Sequence, residues 1–154
     1  MLDVETTVKY YLMEVDINQK IKQAITVHTE GKLEEAVAFY REILKIQPKD
    51  ITINHNIAVA LMDLGNLEEA LIGFKKTLAL TPDYVIAHYN LGITLNKLKK
   101  FNEAEISLKK TITLKPDFAE AHNMLGSTLH DLDKLDEAKV HIKKALILKP
   151  DFVE

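Results

Sequence analysis

Four prolines, Pro48, Pro82, Pro116 and Pro150, stand 34 residues apart along the 154-residue chain. A fixed period of this length means that one structural unit is repeated and stacked on its neighbours. Aligned on the prolines, the chain divides into 17–50, 51–84, 85–118 and 119–152, and further columns fall into step. Alanine recurs at Ala36, Ala70, Ala104 and Ala138, and a small residue at Ala24, Ala58, Gly92 and Gly126. Two helices cross closely only where bulky side chains are absent, so these columns mark a helix–helix contact inside each unit.

Every block carries two stretches of helical period, as in Leu91, Leu95, Leu98 and then Phe101, Ala104, Leu108, Ile112. Each block therefore reads as a helical hairpin. Gly31 and Gly65 fall between the stretches, where a helix end commonly takes a left-handed residue. Lys99 and Asp133 stand there in the later blocks, and the Lys99 turn is expected to be less relaxed or differently shaped. The prolines end the second helices. Residues 2–15 lie outside the repeat but set Val4, Val8, Leu12 and Val15 at helical spacing, which predicts a capping helix over 1–16 that covers the first repeat. Nine helices and no strand are expected.

The segments Tyr89-Asn90-Leu91-Gly92 and Asn102-Glu103-Ala104, with the terminal proline, resemble the tetratricopeptide repeat (TPR) family, and the likeness runs through residues 17–152. Two columns depart from the family pattern. The usually small one holds Ile43, Thr77, Thr111 and Ala145, and the usual tryptophan column holds Lys20, Asn54, His88 and His122. The resemblance implies an all-α right-handed superhelix, an α–α solenoid of four hairpins behind the N-terminal capping helix. First helices would line a concave groove and second helices the convex side. It also implies a protein–protein interaction scaffold that binds a peptide segment of a partner in that groove.

Projected onto the family's groove columns, Asn56 and Asn90 share one position a repeat apart. A carboxamide can donate to a backbone carbonyl while accepting from a backbone amide, so this pair would grip an extended peptide. The ladder is interrupted by Lys22 and Met124. Tyr89 and Met124 would receive side chains, with Val59, Ile93 and Asn123 beside them. Together with Ile21, Ile25 and Ile86 these residues make the groove apolar, and such surface binds something: a peptide, the capping helix or a neighbouring chain. The family's basic clamp for a chaperone's terminal carboxylate is missing, since Ile21, Ile25, Ile86, His55, Glu120 and Met124 occupy its positions.

Charged residues nearly cancel to a net −3, which favours neither nucleic acid nor an anionic membrane. Lys75-Lys76, Lys109-Lys110 and Lys143-Lys144 read as a solvated convex face. No two of the six histidines pair at i, i+4 on one helix, so they read as structural, with no metal site. No catalytic constellation, phosphate loop or cofactor motif occurs, so the chain is not expected to be an enzyme. The alternative is an N-terminal partner- or substrate-binding TPR segment of a larger enzyme such as a transferase. With no cysteine, signal segment or apolar span, the expected location is cytoplasmic. Phe152-Val153-Glu154 begin a fifth repeat, so Leu135, Ile142, Leu146 and Leu148 face a missing neighbour. Self-association through the C-terminal repeat, or a continuation that covers it, is expected.

Overall fold

The computed structural model describes residues 3–152, apart from the side chains of Thr7, Tyr10 and Phe152. Val153 and Glu154, read above as opening a fifth repeat, lie outside the described residues, as do Met1 and Leu2. Eight α-helices follow one another: α1 (Val4–Thr29), α2 (Leu33–Ile46), α3 (Ile51–Asp63), α4 (Leu67–Leu80), α5 (Val85–Lys97), α6 (Phe101–Leu114), α7 (Ala119–Asp131) and α8 (Leu135–Leu148), with a 3-10 turn at Pro150–Phe152. No strand occurs among the described residues.

The count is eight, not nine, because the expected capping helix and the first helix of repeat one are continuous. Nothing between Glu14 and Gln19 breaks a helix: there is no glycine or proline. Asp3 starts α1 by accepting from the Thr6 amide at 2.8 Å. Over its first three turns the apolar side chains that are described remain half or more exposed to solvent, or nearly so. Val4 is 81% exposed and Leu12 61%, and burial begins only at Ile17. The N-terminal segment therefore projects beyond the first hairpin and leaves the groove open.

Within each hairpin the small columns are sealed. Ala24, Ala36, Ala58, Ala70 and Ala104 are fully buried. A Cβ built on Gly92 would stand 2.7 Å from Leu108 Cγ, and one on Gly126 2.6 Å from Ile142 Cγ1. The four hairpin turns share one left-handed shape, with φ of 77° at Gly31, 81° at Gly65 and 58° at both Lys99 and Asp133. The Lys99 turn thus keeps the shape of the glycine turns and carries the steric cost of a left-handed side chain, about 1–2 kcal/mol. Its helix end is closed by Lys100 donating to the Leu95 carbonyl at 2.8 Å.

Three devices join one repeat to the next. First, the family's tryptophan column is used for hydrogen bonding: Asn54 donates to the Pro48 carbonyl at 3.1 Å, His88 to Pro82 at 2.7 Å and His122 to Pro116 at 3.1 Å. Second, α3 and α5 each pack an aromatic ring on the residue that caps the next first helix, His55 on Tyr84 at 5.0 Å and Tyr89 on Phe118 at 4.8 Å. Third, a ladder of ion pairs runs along the second helices, Arg41–Glu69 at 2.8 Å, Lys75–Glu103 at 3.9 Å and Lys109–Glu137 at 3.7 Å. These charges are about half exposed, so they contribute little stability. They do pair Lys75 and Lys109, two of the lysines on the convex face, with acidic partners.

The apolar core is divided at α6. One cluster runs from Ala24 to Leu95 and reaches Ala104, whereas Leu108, Leu125, Leu129 and Ala138 form a second. At the position of Val37 and Leu71, both core residues, α6 carries Glu105, which is only 8% exposed. Its carboxylate accepts from Lys109 at 2.6 Å and Lys134 at 2.8 Å. These hydrogen bonds hold its pKa below the usual range.

Candidate peptide-binding groove

The first helices approach one another directly, α3 touching α5 and α5 touching α7, more closely than the second helices do. They form one continuous face. Of the expected contact residues on it, Val59 and Ile93 are partly buried against the larger core cluster, while Tyr89 and Met124 pack on the smaller one. Asn56 and Asn90 are partly buried and Asn123 is exposed. Ile25 and Ile86 leave 40% of their surface open. Apolar ribs therefore alternate with carboxamides along the face.

The two asparagines of the shared column differ in their surroundings. The Asn56 carboxamide lies near the phenol of Tyr40 and acts on its titration, and that phenol meets His28 Nδ1 at 3.0 Å. Tyr40 is fully buried, and burial raises its pKa. The column of Tyr40 holds Phe74 and Leu108 in the next repeats, so at this position the next two repeats carry no hydroxyl. The Asn90 side chain has no partner within the described residues and is the carboxamide free to pair outward.

Other residues of the groove columns turn inward. His55 is 6% exposed between Phe74 and Tyr84, its Nδ1 lacks a hydrogen bond, and burial lowers its pKa. Met62 is also buried. Tyr89 serves as a strut against Phe118, with its hydroxyl pKa raised by burial and then by Glu120. Asn96 ties α5 to α7 by donating to Thr128 Oγ1 at 2.8 Å, which leaves its own oxygen buried and unpaired. Sequence columns alone could not separate inward from outward here. A depression of about 400 Å³ lies elsewhere, on α2 beside Phe39 and Glu42. No helix among the described residues is long and apolar enough to cross a membrane, and no three His, Cys, Asp or Glu side chains among them converge on a metal position.

Family models described as tetratricopeptide repeat match residues 50–117 in one case and residues 28–50 and 119–152 in another. The chain is a tetratricopeptide-repeat protein. No curated protein sequence matches it. Among solved structures, this TPR protein is similar to MamA from Desulfovibrio magneticus RS-1, at 25% identity and a TM-score of 0.84, over 87% of this chain and 76% of that one. A second crystal structure of MamA matches at 25% identity and 0.81, over 84% and 75%. The first TPR of Spaghetti (RPAP3), bound to the HSP90 peptide SRMEEVD, matches at 23% identity and 0.66, over 67% and 82%. That last likeness concerns the fold. The α-solenoid is thereby shown, the repeat fold supports a protein-interaction scaffold, and neither the matches nor the geometry supports the transferase-segment alternative.

Proposed function

We propose that the concave face binds an extended peptide segment of a partner protein, with Asn90 pairing to the peptide backbone and Ile25, Val59, Ile86 and Ile93 receiving apolar side chains. The observation that carries this reading is the unpartnered Asn90 carboxamide set among half-open apolar ribs. The RPAP3 structure supports it by showing this fold with a peptide bound. The ligand differs in chemistry, because this groove lacks the basic residues that an acidic tail needs. Asn56, Tyr89, Met124 and Asn123 flank the contact. A cytoplasmic interaction protein without catalysis is the matching role.

The test uses a peptide selected on the intact chain from a display library. Asn90→Ala is expected to weaken its binding by about 1 kcal/mol, or roughly fivefold, with the melting temperature unchanged. Asn56→Ala is expected to disturb the Tyr40 phenol it lies beside as well. Unaltered affinity in Asn90→Ala removes the proposed grip.

We further infer self-association through the fourth hairpin. Ile142 is 39% exposed, whereas Tyr40, Phe74 and Leu108, its counterparts, are fully buried, and Leu135 is 47% exposed beside it. Uncovered apolar surface costs about 25 cal/mol per Å². Sedimentation velocity should show concentration-dependent association that Ile142→Lys abolishes. A wild-type chain that stays monomeric at high micromolar concentration contradicts this.

A further inference from the structure

We propose that the N-terminal arm of α1, residues 4–16, docks on the open face of α8 in a second copy of this chain. This contact rests on the self-association inferred above and names the surface that covers the fourth hairpin.

Two helix faces among the described residues stand open, and their spacings match. On the arm, Val4, Val8, Tyr11 and Val15 follow one another at steps of four, three and four residues, so they share one side of the helix. They are 81%, 50%, 66% and 37% exposed. On α8, Leu135, Lys139, Ile142 and Leu146 follow the same steps. Leu135 and Ile142 are exposed and Leu146 is half-buried. In the earlier repeats the next first helix packs on this side of the second helix, α3 on α2, α5 on α4 and α7 on α6. Each of those covering helices has 13 residues, and the arm matches that length. A terminal repeat calls for an amphipathic helix over such a face. The arm is such a helix, and it lies at the other end of the stack.

Charge selects the pairing. The arm carries Glu5 on one flank of its apolar side and Glu14 on the other, and residues 3–16 hold four acids against Lys9 alone. Two arms would repel each other. On α8, Lys139 sits within the apolar row, 3.8 Å from Asp136, and Lys143 borders it. Lys143 occupies the place of Arg41, Lys75 and Lys109, each of which pairs with a glutamate of the following repeat. The ladder thus ends on a lysine whose rung is missing among the described residues. Two α8 faces would set like charges together, whereas the arm brings carboxylates to these lysines. Since α1 and α8 close opposite ends of the stack, the arm meets α8 only in another copy.

Sedimentation velocity on the intact chain and two variants tests the contact. Val8→Lys with Tyr11→Lys alters the arm, and Lys139→Glu with Lys143→Glu alters α8. All four side chains are exposed, so both variants should keep the wild-type melting temperature. The wild type should associate, and less so as salt rises. Each variant alone should lose association, and an equimolar mixture should regain it, because one partner keeps an intact arm and the other an intact α8 face. An arm variant that still assembles, or association that strengthens with salt, overturns the arm as occupant and leaves the fourth-hairpin contact standing. A mixture that stays monomeric also overturns it. A monomeric wild type removes both.

Discussion

Replacing Glu105 with leucine is expected to stabilise the chain by about 1–2 kcal/mol, because removing a buried ion pair in favour of apolar packing is commonly neutral or stabilising. Repeats one and two already place Val37 and Leu71 at that position, each within the core. The leucine would add apolar surface to α6, where the two apolar clusters divide. Lys109 and Lys134 are 47% and 41% exposed, so both ammonium groups can turn to water once the carboxylate is gone. The urea midpoint should rise. The acid limb should change too. The folded carboxyl titrates below its unfolded value, so its contribution is present above the ordinary carboxylate pKa and is lost as pH falls through the depressed one. The leucine variant should lack that part of the acid loss. A lower midpoint for Glu105→Leu would show that the ion pair outweighs the packing it interrupts.

His55→Tyr is expected to raise stability and to flatten its dependence on mild acid. Burial between Phe74 and Tyr84 keeps the His55 ring neutral in the fold and lowers its pKa. As pH falls below about 6.5, the unfolded chain takes a proton that the folded chain refuses, so stability drops by up to about 1.4 kcal/mol per pH unit until the folded ring titrates. Tyrosine stands at the equivalent position as Tyr89, packed at a tilt against Phe118. The substitution also removes a buried nitrogen without a partner, worth about 1–3 kcal/mol. Thermal melts from pH 7.5 to 5 should show a shallower slope in the variant. The remaining slope would belong to His141, whose pKa burial also lowers, with His122 and Lys109 adding to it. An unchanged slope would place the acid sensitivity outside His55.

The period of the prolines made the hairpins, their boundaries and their small-residue contacts legible, because each signal is local and occurs four times. What escaped depends on residues from several elements at once. The N-terminal segment reads as a cap by its apolar spacing, yet spacing cannot say whether anything lies opposite, and Val4, Leu12 and their neighbours face no described partner. Asn56 and Asn90 look alike as a column, and only the Tyr40 hydroxyl from α2 distinguishes them. His55 and Tyr89 belong to a groove column by alignment but close the joins to the following repeats. Glu105 and His141 did leave a sequence signal. Each breaks its own column, a carboxylate after Val37 and Leu71, an imidazole after Phe39, Gly73 and Ser107.

The concave face as a peptide site is tested most directly by amide hydrogen exchange on the intact chain with and without a library-selected peptide. Groove binding predicts added protection in α3, α5 and the C-terminal half of α1, centred on Val59, Asn90 and Ile93, with α2, α4 and α6 unchanged. Protection on the second helices, or none on α3 and α5, would contradict it.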